Sequence, residues 1–199
     1  MNVTGKEYLA RGKRGIVSTG MLDGKRIIIK ELNPSADVNT IAHEAEMLQA
    51  VNAKGIGPLF IGLQNGALLR EYIDGPEIMD WIPGARRGAI KSALIAVLEQ
   101  CRTLDLLGIN KLEMNHPHKH ILMRKDIPVF IDFDRARHAQ KPKNVTQVCQ
   151  WLTGSQMVEI LNEKDVTIPR DAMIKHAKKY KDSYSDIPYN LMVEVIRNA

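Results

Sequence analysis

Three charged side chains stand where the surrounding sequence disfavours charge. Lys30 closes the run Ile27-Ile28-Ile29, Glu44 falls within an apolar series at helical spacing, and Asp132 lies between Ile131 and Phe133. An ammonium group can neutralise phosphate oxygens, a carboxylate can orient that ammonium, and a second carboxylate can hold a divalent cation. Each residue also has a plainer reading. A lysine at a strand end is usually solvated, and a glutamate at the edge of an apolar stripe is usually surface. Asp132 is harder to dismiss, because a carboxylate among apolar neighbours is costly unless it is paired, hydrogen-bonded or bound to a cation. Upstream, Gly12 and Gly15 bracket Lys13-Arg14 just before Ile16-Val17. Glycines there let backbone N–H groups approach phosphate oxygens, although the same residues serve an ordinary hairpin turn.

Two further groups carry chemical potential. His116, His118 and His120 alternate along the chain. In an extended segment they would share one side and offer zinc three imidazoles, with Glu113 or Asp132 as a further ligand; otherwise they form a polar loop. Arg170, Lys175, His176, Lys178, Lys179 and Lys181 make a basic helix. It reads as a solvated face or as a contact for RNA or an acidic partner, with Tyr180 and Tyr184 too few for a base-stacking platform.

These residues need elements to hold them. Short β-like runs at 8–10, 16–19 and 26–29 are separated by glycines and by Asp23-Gly24, and two more at 59–63 and 67–73 turn at Asn65-Gly66. A helix over 38–52 interrupts them, giving β-β-β-α-β-β. The texture changes near residue 75. Ile90, Leu94, Val97, Leu98, Cys101 and Leu104 predict a buried central helix capped by Gly108. A hairpin of His120–Met123 with Val129–Asp134 follows, then helices over 144–153, 155–163, 169–182 and 188–197. The expected class is α+β.

The chain has 199 residues, 44% hydrophobic and 26% charged, with a net charge of +5 and a pI near 9.2, which disfavours disorder and weakly favours a polyanionic partner. Cys101 and Cys149 are too few and too far apart for a disulfide framework, and read as buried thiols. No stretch approaches the ~18–20 apolar residues of a membrane span, and the start lacks a signal-peptide pattern, so a cytoplasmic protein is expected.

Taken in order, the motifs resemble the protein kinase signature set. Leu9 to Val17 is similar to a glycine-rich loop with Ala10 in place of its first glycine, Ile27-Ile28-Ile29-Lys30 looks like the VAIK strand, and Glu44-Ala45-Glu46-Met47-Leu48 looks like the αC segment. Leu68 to Gly75 is similar to a hinge strand, and Ile131-Asp132-Phe133-Asp134 looks like the DFG element. No APE motif follows. The resemblance covers roughly residues 5–137 and narrows to small atypical kinases of the RIO and KEOPS type, closest in look to archaeal predicted serine/threonine kinases.

That resemblance implies a two-lobed protein-kinase-like fold, with a five-stranded N-lobe over 1–75 and a reduced helical C-lobe over 76–199. It implies ATP and Mg²⁺ as cofactors. Gly12, Gly15, Val17, Lys30, Glu71 and Ile73 would hold the nucleotide, Asp132 and His120 the metal, and Lys30, Glu44, Glu113 and Asp132 would form the catalytic set. The catalytic loop departs from the pattern: Asn115 stands where the family carries its aspartate base and His120 where it carries an asparagine. Glu113 is the one carboxylate left to act as base. Arg70 occupies a gatekeeper-like position where an uncharged residue is usual. The expected function is an atypical serine/threonine kinase or related ATPase acting on a protein substrate. The alternative is a catalytically silent nucleotide-binding pseudokinase that serves as an RNA- or protein-binding scaffold.

Overall fold

The computed structural model describes all 199 residues, and the chain divides into two compact units: Met1–Asp74 with Val129–Ala136, and Gly75–Pro128 with Arg137–Ala199. The protein is α+β, with a five-stranded antiparallel sheet and seven helices. No helix is long and apolar enough to cross a membrane.

The first unit is built on the sheet. Strands β1 (Thr4–Arg11), β2 (Gly15–Leu22) and β3 (Lys25–Leu32) precede helix α1 (Ile41–Asn52), and β4 (Phe60–Gln64) and β5 (Ala67–Glu71) follow it. The order across the sheet is β1-β2-β3-β5-β4. Two hairpins close through paired left-handed residues, Asp23-Gly24 at φ 48° and 75° and Asn65-Gly66 at φ 51° and 77°, the geometry whose twist matches that of the flanking strands. Alternation along β3 and β5 gives the sheet two faces. Ile27, Ile29, Ala67 and Leu69 pack on one, beneath Val3, Leu22 and Ile61. Leu68 packs on the other, against Ile41 and Ala45 of α1. The helix starts at Ile41, three residues later than the periodicity suggests, because Val38 is exposed and the Asn39 side chain accepts the Ile41 N–H. Strand β1 lies at the sheet edge with every residue exposed, and its register with β2 slips between Thr4 and Glu7 and again between Tyr8 and Ala10.

The second unit is mainly helical. It runs through α2 (Ile78–Trp81), α3 (Arg87–Leu106), β6 (Ile109–Asn110), β7 (Ile121–Arg124) and β8 (Ile127–Phe130), whose last two residues return the chain to the first unit. It resumes with β9 (Arg137–His138), α4 (Asn144–Leu152), α5 (Ser155–Asn162), α6 (Arg170–Ser183) and α7 (Asp186–Asn198). Helix α3 buries the predicted stripe and ends with Gly108 at φ 69°, whose N–H donates to the Asp105 carbonyl. Both cysteines are free and buried; burial pushes the Cys149 thiol up to about 12. Two expectations need correction. The second strand of the hairpin ends at Phe130 and not at Asp134, because Asp132 adopts φ 63°, outside strand geometry. Helix α7 begins at Asp186, with Pro188 in its first turn, where a missing N–H costs nothing.

One buried polar cluster fixes the loop after α3. The Asp105 carboxylate accepts hydrogen bonds from the Asn144 backbone N–H (2.9 Å), the Asn144 amide (2.7 Å) and the Val145 N–H (3.2 Å), capping α4. Asn144 in turn donates to the Ile109 carbonyl and accepts from the Lys111 N–H at 2.9 Å. Residues 109–111 are thereby anchored.

Candidate functional site

In the first unit the sheet and α1 bring three of the sequence-selected side chains together. Lys30 stands on β3 opposite Val17 on β2 and Leu68 on β5, on the face that meets α1. Its Nζ lies 2.6 Å from Glu44 Oε2 and 2.9 Å from Asp132 Oδ1. Lys30 and Glu44 are 7% and 2% exposed, whereas the Asp132 side chain is 36% exposed. The three therefore form a wedge, dry at Glu44 and open to water at Asp132.

Burial by itself would lower the Lys30 pKa, but the facing Glu44 and Asp132 carboxylates more than reverse that and hold it above the ordinary lysine value. Burial raises the Glu44 carboxyl despite the attraction of Lys30, and the Asp132 charge adds to the rise. Arg70 lies on the same sheet face, paired across strands with Ile28 and two positions along β5 from Leu68. Its desolvation lowers its pKa, with Glu44 and then Asp132 opposing.

Local structure fixes each member. Asp132 sits in the left-handed region at φ 63°, which costs an L-residue about 1 kcal/mol and persists only where neighbours enforce it. Beside it, Phe133 is fully buried against Gly57, and the Ala136 carbonyl meets His43 Nε2 of α1 at 2.6 Å. Arg14 pairs with Asp134 at 3.3 Å. The Gly12–Gly15 turn is closed by the Gly12 N–H on the Gly15 carbonyl at 2.8 Å. It is clamped by buried Asn33, whose amide donates to the Gly12 and Lys13 carbonyls at 2.9 and 3.2 Å and whose N–H donates to the Arg14 carbonyl. Asn33 stands directly after β3 and is a site residue that the sequence motifs do not include. Glu71 accepts the Leu59 N–H at 3.1 Å, and Ile73 is buried.

The loop residues belong to the second unit. Leu112 and Glu113 hold consecutive positive φ values of 65° and 57°, an arrangement that non-glycine residues avoid. Glu113 Oε2 is 3.6 Å from His120 Nε2, and the His116 N–H donates to the Glu113 carbonyl at 3.0 Å. The zinc reading required an extended segment, but Pro117–His120 winds into a 3-10 turn, and the protein has no group of three or more histidine, cysteine or acidic side chains arranged to hold a metal. Asn115 and His116 are exposed and line a cavity of about 350 Å³ with Gln150, Trp151 and the first turn of α5. On α6 the residues Met173, Ala177 and Tyr180 face inward, leaving Lys175, Lys178, Lys179 and Lys181 exposed.

No family model matches the chain. It is similar to an uncharacterized protein of Methanocaldococcus jannaschii, 27% identical over 114 residues, a stretch that covers 56% of this chain and 97% of that relative.

Proposed function

We propose that the chain is an ATP- and Mg²⁺-dependent phosphotransferase, an atypical serine/threonine kinase or related ATPase of protein-kinase-like, two-lobed design. The observation that carries this reading is the Lys30 ammonium held between a buried Glu44 and a partly exposed Asp132. A lysine oriented by one carboxylate and set against a second is suited to phosphate oxygens and a hard cation, and phosphoryl transfer asks mainly for that positioning and charge neutralisation. Asp132 fits a magnesium ion, because Mg²⁺ keeps several waters and takes one or two carboxylates plus phosphates, with no need of an all-protein cage. Bound there, the ion would neutralise charge developing on the transferred group. Lys30 binds the phosphates, Glu44 orients Lys30, and the Gly12–Gly15 turn covers them. The test is nucleotide binding by calorimetry with and without Mg²⁺: affinity should depend on the cation and collapse in Asp132→Ala, and cation-independent binding would remove Asp132 as a ligand.

A second reading is a silent nucleotide-binding scaffold. Asn115 favours it, since an amide cannot accept a proton where the resemblance expects a base, as does the exposed lysine face of α6. Replacing Lys175, Lys178, Lys179 and Lys181 with glutamine should weaken association with RNA or an acidic partner and flatten its salt dependence while nucleotide affinity stays constant. An unchanged salt profile would retire the docking role.

A further inference from the structure

Arg70 is a charged group that the proposed mechanism does not use. It is 8% exposed, yet its guanidinium makes one hydrogen bond, from Nη1 to the Glu71 carbonyl at 3.3 Å, and its Nε is buried without a partner. A guanidinium carries five donors in a rigid planar fork, and leaving even one of them, here Nε, buried without an acceptor is costly. Glu44, the carboxylate that acts on it most strongly, is already committed to Lys30. Such a group marks a place where an acceptor arrives with a ligand.

The register indicates which part of a nucleotide that would be. Gly15 pairs with Leu32 and Val17 with Lys30, so the glycine turn lies at the Leu32 end of β3. Lys30 pairs with Leu68, and Arg70 pairs with Ile28, further from that turn. The order along one sheet face is therefore glycine turn, Lys30, Arg70, with Arg70 about 6–7 Å beyond Leu68 along its strand. Arg70 Nη1 donates to the carbonyl of Glu71, one residue further along β5 from Leu68. Phosphates engaged by the turn and by Lys30 leave the base, and not a phosphate, to reach Arg70.

We propose that Arg70 is a specificity-determining residue that selects a 6-oxopurine, guanine or hypoxanthine, over adenine. Paired donors on an arginine match the O6 and N7 acceptors of a 6-oxopurine, whereas adenine offers an amino donor in place of O6 and would set donor against donor. This inference rests on the nucleotide-binding reading and sharpens it, moving the preferred substrate from ATP to GTP.

The experiment is calorimetric titration of the full chain with the Mg²⁺ complexes of GTP, ITP and ATP, repeated on Arg70→Met. GTP and ITP should each bind about tenfold or more tightly than ATP, and Arg70→Met should abolish the difference by weakening the two oxopurines alone. ITP is the discriminating arm, because it shares O6 with guanine and lacks the 2-amino group. ATP binding as well as or better than GTP, or ITP behaving like ATP, overturns the selectivity while leaving nucleotide binding intact. An equal loss for all three in Arg70→Met assigns Arg70 to balancing the Glu44 charge and also overturns it. Binding of none of them overturns the nucleotide reading itself. The base preference of the unmodified protein decides the matter even where the variant fails to fold.

Discussion

Gly15 lies directly against Lys30: a Cβ on Gly15 would stand 2.9 Å from Lys30 Cε and 3.3 Å from both Lys30 Cγ and the Glu31 carbonyl. The glycine is needed for space here, since the ammonium it would displace is fixed by two carboxylates and cannot swing aside without losing one. Gly15→Ala should lower stability by about 1 kcal/mol and reduce nucleotide affinity more than that loss would suggest. Urea unfolding and calorimetric titration of the same preparation check both, and unchanged affinity would separate the turn from Lys30.

Removing one member of the buried pair should cost far more than removing both. Lys30→Met strands the Glu44 carboxylate in the interior and should destabilise by about 3–5 kcal/mol, while Lys30→Met with Glu44→Gln should recover much of that, since buried pairs contribute little against neutral replacements. A double-mutant cycle in chemical denaturation measures the coupling.

The pH dependence follows from the sign of the Lys30 shift. Its pKa is raised above 10.5 in the folded state, the carboxylate attraction overcoming desolvation. The ion-pair stabilisation is therefore complete below the unfolded value and lost as pH rises through the folded one. The melting temperature should fall above about pH 10.5, more steeply in the unmodified protein than in Lys30→Met. Parallel alkaline limbs in the two would exclude the pair as a source of stability.

Asp105→Ala should be among the most disruptive single changes in the helical unit. It leaves the Asn144 N–H, the Asn144 amide and the Val145 N–H short of an acceptor at the start of α4, a loss of about 3 kcal/mol. Hydrogen exchange should show the loss of protection spreading to residues 109–111 through Asn144. Protection lost only at α4 would disprove the link.

The residues that create the site differ in how far the sequence announces them. Asp132 was legible because desolvation physics acts locally: a carboxylate flanked by Ile131 and Phe133 demands a partner, and it has Lys30. The succession β-β-β-α-β-β of the first unit followed from β-branched runs, Asp-Gly and Asn-Gly turns and helical spacing. Asn33 was not legible, because its work is done on carbonyls twenty residues upstream and no local pattern marks a side chain that clamps a distant turn. The end of β8 was missed for the opposite reason. Val129, Phe130, Ile131 and Phe133 have an apolar, β-favouring texture, and the left-handed turn at Asp132 stands beside tertiary contacts, the packing of Phe133 against Gly57 and the His43 contact at Ala136, that no local pattern announces. Arg70 reads as a surface residue from type alone; its burial comes from the α1 face of the sheet, a tertiary fact.

The slipped register of β1 also bears on the protein's behaviour in concentrated solution. A fully exposed eight-residue edge strand offers a row of unpaired backbone groups on which foreign strands can grow. Here the irregularities at Thr4/Glu7 and Tyr8/Ala10 break that row into short pieces, and the charges of Lys6, Glu7 and Arg11 stand along it. Bulges and edge charges are how sheets refuse intermolecular pairing. The irregular strand thus works as a guard against fibrillar aggregation, and a straightened, uncharged β1 would forfeit that guard even with the rest of the chain unchanged.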